Sequence, residues 1–314
     1  MAPFYTQVGL FREGEQAFRT AAGRARTVAQ DDETRSPERW ATGWHALSRL
    51  LAAQGNLLVC LGDHSTALAV FQEADAAFER AAVTGLDIDL AERAMLLSNL
   101  GASYNRGGDY ALAVQHLETS LALARQVNDT QAEITALSSL AQAASEQGAY
   151  DTAKQHLDEV LSLARACNDR PHIALALSTL GTISWRWGDI EQADTCLRES
   201  LAIYRELGDQ HRIPRILNAL GILAILRERY DQAEGYWEEG LALAQELGDS
   251  MATADTLTNL GYINHHNLGN LEKAKQYYTQ SLSISQEIGH RHGVTSTLSN
   301  LGHLYALMGE HGPA

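Results

Sequence analysis

The chain has 314 residues, of which 45% are hydrophobic and 20% are charged, and its formal net charge at pH 7 is -15. Such an acidic chain lacks the basic surface that contacts a phosphate backbone, so nucleic acid is not an expected partner. Three cysteines without paired spacing, no signal peptide and no apolar run of membrane-spanning length indicate a cytoplasmic protein that has no membrane partner.

The phrase Leu-x-x-Leu-Gly recurs along the chain at a nearly constant interval. The successive last positions are 40, 40, 40, 40 and 41 residues apart. A period in this range is typical of stacked copies of one helical unit, none of which buries its apolar face alone. The six copies, one of them degraded, end at Gly101, Ala141, Gly181, Gly221, Gly261 and Gly302.

Each copy predicts two amphipathic helices joined by a tight turn. In residues 90–129 the apolar positions of the first helix lie at helical spacing, a glycine-rich turn follows at 107–109, and a second helix ends near Asp129. Asp129 is a residue type that caps the next helix. Gly101 and Ala113 predict a close approach of the two helices, because a larger side chain at either position would separate them.

In chain order the repeat divides the sequence into units. A half unit over 1–30 has an inter-helix turn at 9–11. A long unit over 37–85 follows. Its loop at 83–87 is expanded, since 46 residues separate Gly62-Asp63 from Gly108-Asp109. Ser36 is expected to cap a helix that has Pro37 in its first turn, and Pro214 predicts a late helix start or a kink. The remaining units are five regular ones over 90–129, 130–169, 170–209, 210–249 and 250–290, and a truncated one over 291–314.

The ends of the array lie within units. Because the ends of repeat arrays need polar capping faces, we expect a piece of a larger protein. The alternative is a complete protein with ragged terminal helices.

The order and spacing of the recurring apolar and small residues in each unit resemble those of the tetratricopeptide repeat (TPR). The resemblance covers almost the whole chain, although the usual terminal proline is absent and each second helix is extended. It implies an all-α fold, an α-solenoid of stacked antiparallel helix hairpins that forms a right-handed superhelix as a single array over 1–314. The matching residues of one unit are Leu97, Leu100, Gly101, Tyr104, Ala113, Leu117 and Ser120.

Motifs for catalysis are missing from the sequence. It has no phosphate-binding loop, no H-E-x-x-H, no C-x-x-C and no G-x-S-x-G, so neither an enzyme nor a cofactor is expected. Five histidines lie between His265 and His303, and these two are candidates to hold a metal or to sense pH across neighbouring first helices. No cysteine or carboxylate completes a ligand set, so ordinary surface positions are favoured and no metal is expected.

The TPR resemblance implies that the first helices line a concave groove that binds a protein or peptide ligand. Small polar residues there would leave the groove open and pair with a peptide backbone, while Trp185 either fills space between units or grips an apolar side chain. Three asparagines match one position of the clamp with which some relatives bind carboxyl-terminal peptides, but its Lys and Arg positions are not filled in register, so that clamp is not expected. The candidate ligand-binding residues are Arg49, Asn56, Ser98, Asn105, Ser138, Gln142, Ser178, Trp185, Arg215, Asn218, Thr258, Tyr262, His265, Ser299 and His303.

The extended units are similar to the C-terminal sensor arrays of bacterial signalling NTPases of the STAND/NB-ARC type. Related long units occur in kinesin light chain and in spindle adaptors. The first resemblance implies a ligand-sensing domain and, as a further partner, an NTPase switch domain in the same parent chain. A static scaffold for protein complexes is the alternative function, and a small-molecule or catalytic site in the groove is the third.

Overall fold

The structure, a computed structural model, describes residues 2–31, 37–83 and 89–309, and the side chains of 10–30, 38–83 and 89–309. Within these ranges it contains fourteen α-helices and no strand, which confirms the all-α class. The helices are α1 (Ala2–Asp31), α2 (Pro37–Cys60), α3 (His64–Ala82), α4 (Leu90–Gly107), α5 (Tyr110–Gln126), α6 (Thr130–Glu146), α7 (Tyr150–Ala166), α8 (Arg170–Trp187), α9 (Ile190–Leu207), α10 (Ile213–Leu226), α11 (Tyr230–Leu247), α12 (Ser250–His266), α13 (Leu271–Glu287) and α14 (Arg291–Met308).

The helices form two compact units, Met1–Cys167 and Asn168–Ala314. The first unit contains α1 to α7 and the second contains α8 to α14. In each unit consecutive helices pack as antiparallel hairpins, and each hairpin packs against the next one along the chain. We call α2, α4, α6, α8, α10, α12 and α14 the first helices, and their partners the second helices. In the described ranges no helix is both long and apolar enough to span a bilayer.

Aspartate side chains cap the start of seven of these helices, and residues in the left-handed conformation end many of them. Asp129 accepts hydrogen bonds from the backbone N–H groups of Gln131 and Ala132, which confirms its predicted capping role. Gly108 and Gly188 follow their helices at φ values of 82° and 90°, a backbone region that glycine enters without strain. These signals recur with the repeat because every unit has to reverse the chain twice.

A glycine marks the closest approach of the two helices within a hairpin. A Cβ atom at Gly101 would lie 2.6 Å from Cγ of Leu117 and 3.1 Å from the carbonyl oxygen of Ala113. At Gly221 and Gly261 the corresponding contacts are the rings of Trp237 and Tyr278. The predicted need for a small residue at this position is therefore confirmed.

Serines of the second helices hold the hairpins together by bonding to the first helices. Each of three buried serine hydroxyls donates to a backbone carbonyl oxygen of the preceding first helix, at distances of 2.6 to 2.8 Å. The serine thereby satisfies its own buried polar group and fixes the longitudinal register of the two helices. The pairs are Ser120 with Ala94, Ser200 with Ala174, and Ser281 with Ala254.

Two local expectations have different outcomes. The inter-helix turn expected at 9–11 is wrong, because α1 continues through these residues. Gly9 alone does not end a helix, since a single glycine costs only about 1 kcal/mol and no capping residue follows it. The late start at Pro214 is confirmed, because α10 begins at Ile213 and Asp209 instead makes an ion pair with Arg212. The Ser36 cap, the loop residues 84–87 and the end of the truncated unit lie outside the described residues.

Candidate functional site

A charged contact joins the first helices α2 and α4 in the unit Met1–Cys167. Oε1 of Glu92 lies 3.2 Å from Nε of Arg49, and Oε2 lies 3.0 Å from Nε2 of His45. Both carboxylate oxygens therefore have a partner. The arginine side chain is 66% exposed, and its two terminal nitrogens have no partner among the residues that the structure describes. The contact orients a guanidinium group whose outer edge is free to bind an anion.

A pocket of 220 Å³ opens beside this contact, between α2, α3 and α4. Its apolar wall includes Phe78 and Leu96, which are buried, and Met95, which is 59% exposed. Two asparagines also line the pocket, the exposed Asn56 on α2 and the half-buried Asn99 on α4. The site thus combines an apolar wall with carboxamide groups and one available positive charge, and we call it the α2–α4 pocket.

The pocket lies where the spacing of the repeat is irregular. The regular interval brings α6 against α4. Between α2 and α4 the interval is six residues longer, as the 46 residues from Gly62 to Gly108 show against the usual 40. The first helices α2 and α4 are joined through Arg49 and His45 to Glu92, with the pocket beside that contact.

In the unit Asn168–Ala314 the first helices α8, α10, α12 and α14 pack side by side. At equivalent repeat positions they carry large apolar or aromatic residues, which we call the aromatic face: Trp185, Ile222, Ile225, Tyr262 and His303. Tyr262 is 43% exposed and its ring centroid lies 4.5 Å from that of His266. The equivalent positions of the other unit are more polar, with Asn105 and Gln142 among them. The two units therefore offer different chemistry on their first helices.

His265 on α12 occupies the same repeat position as Trp185 and Ile225, but it is buried. It is 4% exposed, and neither of its ring nitrogens has a hydrogen-bond partner among the described residues. Its ring stacks on His266 at 3.9 Å and meets Tyr278 edge-on at 6.2 Å. Burial lowers the pKa of His265, and the neighbouring His266 and His303 lower it further. The buried imidazole is consequently held neutral. No group of three potential metal ligands occurs in the described part of the chain.

A family model of the tetratricopeptide repeat matches residues 92–166, 133–206, 212–287 and 253–314, which together make up most of the sequence. The chain belongs to the tetratricopeptide-repeat family. No curated protein sequence matches the chain. The match starts at α4, so the long unit that contributes α2 and α3 to the pocket lies outside it.

Several solved TPR structures are similar to this chain in fold, at low sequence identity. A STAND protein with a tetratricopeptide repeat sensor from Pyrococcus horikoshii is 16% identical, with a TM-score of 0.66 over 97% of this chain and 49% of that one. A Rap protein complexed with competence and sporulation factor is 13% identical, with a TM-score of 0.61 over 97% and 98%. The quorum sensor NprR from B. thuringiensis is 16% identical, with a TM-score of 0.62 over 97% and 86%.

The predicted groove residues of this TPR chain fall into three classes of exposure. Three are buried and five are half-buried, and the other seven are exposed. The buried ones are Ser98, Asn105 and His265, the half-buried ones are Ser138, Ser178, Trp185, Asn218 and Thr258, and the exposed ones are Arg49, Asn56, Gln142, Arg215, Tyr262, Ser299 and His303.

The expectation that Ser98, Asn105 and His265 are open to a ligand is corrected by their burial. Ser98 is 3% exposed and Asn105 is 6% exposed. The carboxamide of Asn105 donates to the carbonyl oxygen of Ser139 on the neighbouring first helix, so this side chain joins two TPR units. Short polar side chains at these positions fit where first helices pack closely, and the repeat pattern alone does not distinguish that role from ligand contact.

The half-buried hydroxyl groups are also engaged inside the protein. Ser138 donates to the carbonyl oxygen of Ile134, and Ser178 donates to that of Leu175. Thr258 shares a hydrogen bond of 2.7 Å with Ser281 of the second helix α13. The hydroxyl groups of Ser138, Ser178 and Thr258 are therefore engaged in backbone and interhelical hydrogen bonds.

Sequence reasoning missed the apolar half of the α2–α4 pocket. It selected Arg49 and Asn56 from their repeat positions, and the structure places both at the pocket. It did not select Phe78, Met95 or Glu92. Phe78 lies on a second helix, which was expected to face away from the ligand. The departure from the 40-residue interval was the available signal, because it marks the unit that contributes α2 and α3 to the pocket.

Proposed function

We propose that this chain is a protein- or peptide-binding TPR module and that the α2–α4 pocket is one of its contact points. The observation that carries the proposal is the pocket itself, where an apolar wall lies within two helical turns of an available guanidinium group and two carboxamide groups. Pockets that combine an apolar surface with a few polar groups bind ligands with a defined orientation. The family is a helical repeat that offers extended surfaces, and the proposed role is binding without catalysis.

At a finer level we propose that the module is the sensor of a signalling ATPase of the STAND type. The similarity to the Pyrococcus horikoshii protein supports this role, since 97% of this chain aligns with about half of a protein whose repeat is described as a sensor. In such an arrangement ligand binding to the array controls a nucleotide-dependent switch domain of the same parent chain. The Rap protein with its bound factor is a second example of this fold with a ligand.

The proposed binding role is tested by affinity capture with the purified chain as bait and mass spectrometry of the recovered proteins. Ala53 lines the pocket, so the Ala53→Phe variant fills it without changing the charge. We expect this variant to recover at least tenfold less of the main partner than the natural chain. The control is Ala111→Phe, which adds the same ring at an exposed position on the second helix α5.

Circular dichroism establishes that both variants keep their helical content. Equal recovery by Ala53→Phe and the natural chain would exclude the pocket as a contact point. Recovery of no specific partner by the natural chain would contradict the binding role itself.

A further inference from the structure

The ligand chemistry of the α2–α4 pocket follows from which of its polar groups are already engaged. Glu92 has both carboxylate oxygens near donors, Arg49 on one side and His45 on the other. Each oxygen of Glu92 therefore already has one partner, and the negative charge of Glu92 is compensated by Arg49. The terminal nitrogens of Arg49 have no partner in the described part of the chain, and the side chain is 66% exposed. The groups available to a ligand at this end of the pocket are therefore the terminal N–H donors of the Arg49 guanidinium group.

An arginine held in this way is suited to one kind of group. The pairing of Nε with Glu92 limits the motion of the guanidinium plane, so less side-chain entropy is lost when a ligand binds. Its outer edge carries parallel N–H donors that match the two oxygens of a carboxylate. The apolar surface beside Arg49 favours a carboxylate that lies next to an apolar side chain over a free inorganic anion, because the inorganic anion makes no apolar contact with this surface.

The size of the pocket indicates that it receives a side chain of a larger partner. Its 220 Å³ is below the ~300–1,000 Å³ of pockets that enclose small molecules. Phe78 and Leu96 are 6% and 3% exposed and form a stable wall, whereas Met95 is 59% exposed at the rim. A methionine at the rim adapts to aliphatic and aromatic side chains of different shapes.

Two matched pairs of residues set the length of the ligand segment. Asn56 follows Arg49 by seven residues on α2, and Asn99 follows Glu92 by seven residues on α4. Seven residues of helix correspond to about 10.5 Å. An extended chain covers that distance in about three residues. The carboxamides have donors and acceptors for its backbone, at the opposite end of the pocket from the charged contact.

We propose that the α2–α4 pocket binds an extended peptide segment in which an acidic side chain lies within two positions of a large apolar one. The carboxylate pairs with the terminal nitrogens of Arg49, the apolar side chain enters against Phe78 and Leu96, and the asparagines bond the backbone. This inference rests on the proposed binding function and specifies the ligand class.

The probe is a phage-displayed library of random seven-residue peptides, selected on the natural chain. We expect the enriched peptides to share an Asp or Glu within two positions of Leu, Ile, Met or Phe. The best peptide is then synthesised with a fluorescent label, and its affinity is measured by anisotropy. Replacing its acid by the corresponding amide is expected to weaken binding at least tenfold, and added salt should weaken the acidic peptide more than the amide peptide.

Protein variants test the same contact from the other side. Arg49→Gln should weaken binding of the acidic peptide at least tenfold and leave the amide peptide unaffected, while Arg49→Lys should retain part of the affinity because it keeps the charge but loses the paired donors. Arg212→Gln is the matched control, because Arg212 is also an exposed arginine paired with a carboxylate, in the other unit. Thermal unfolding of each variant verifies that the fold is retained.

The possible failures are distinguishable. Enriched peptides that lack an acid, or an acidic peptide whose affinity is insensitive to Arg49→Gln, would overturn the inference. If binding of such peptides were still lost in Ala53→Phe, the pocket would remain a peptide site and the proposed function would stand. Failure to enrich any peptide would contradict both.

Discussion

At the scale of single residues, one position of the repeat decides how closely each hairpin packs. At Gly181 a Cβ atom would lie 2.7 Å from Cγ of Leu197 and 3.2 Å from the carbonyl oxygen of Ala193. Contacts this short force backbone or side-chain shifts. Gly302 occupies the same repeat position on α14, yet nothing lies within 4 Å of its Cβ position in the described structure. The same residue in the same motif thus has two different energetic roles.

These two glycines give a matched pair of substitutions. We expect Gly181→Leu to lower the free energy of unfolding by ~1–3 kcal/mol through overpacking. Gly302→Leu should raise it slightly, by up to ~1 kcal/mol, because glycine is a poor residue in a helix interior. Melting temperatures measured by circular dichroism compare the two variants with the natural chain. A similar loss of stability in both would show that the close approach is not what requires glycine.

At the scale of elements, seven of the described helices begin with a capping side chain and five do not. Asp189 precedes α9 and accepts a hydrogen bond of 2.9 Å from the backbone N–H of Gln192. Ala149 occupies the equivalent position before α7 and makes no side-chain cap. The two sites have closely similar backbone angles, φ -84° and ψ 79° against φ -83° and ψ 65°. The geometry for a cap is therefore present at α7 and only the side chain is missing.

Reciprocal substitutions at these caps test the contribution of this bond. Asp189→Ala should destabilise the protein by ~0.5–2 kcal/mol, since a backbone N–H at the start of α9 loses its acceptor. Ala149→Asp should stabilise it by a comparable amount, because the new carboxylate reaches the free N–H groups of α7 and interacts favourably with the helix dipole. Chemical denaturation of the two variants and the natural chain measures both effects. Destabilisation by Ala149→Asp would contradict the expectation.

At the scale of the whole molecule, histidines that are buried or half-buried make stability depend on pH. Burial is the main cause that lowers the pKa of His116 and His156 in the first unit and of His265 in the second. In the unfolded chain these groups titrate near the ordinary histidine pKa of about 6.5. Below that pH the unfolded chain binds protons that the folded protein does not bind, so the free energy of unfolding decreases as the pH falls. Above that pH the histidines are neutral in both states, and stability is not reduced in this way.

His265 permits a specific test of this pH dependence. The His265→Phe variant keeps an aromatic ring against Tyr278 and cannot be protonated. We expect its melting temperature to fall less between pH 7 and pH 5 than that of the natural chain, because the variant lacks the imidazole that takes up a proton on unfolding. His211→Phe, at an exposed position in the same unit, should retain the natural pH dependence. An unchanged slope in His265→Phe would show that this histidine is not part of the acid response.

The fold was more predictable than the candidate site, for a physical reason. The repeat interval, the caps such as Asp129 and the small residues such as Gly101 act locally or between adjacent helices, so a single sequence contains the information. The site prediction assumed that a polar residue on a first helix faces a ligand. Ser98, Asn105 and His265 are polar and buried, since neighbouring helices cover them and, for Asn105, supply a hydrogen bond.

The sequence by itself determined that this protein is a series of helix hairpins, that residues such as Asp129 cap a following helix, and which small residues permit the hairpins to pack closely. These features depend on neighbours no more than one repeat away. Only the tertiary structure decided which polar side chains are accessible and that Arg49 and Phe78 of the long unit and Met95 of the next unit surround one pocket. Accessibility depends on every helix that packs around a residue, and a pocket depends on the gap between elements, which no local pattern specifies.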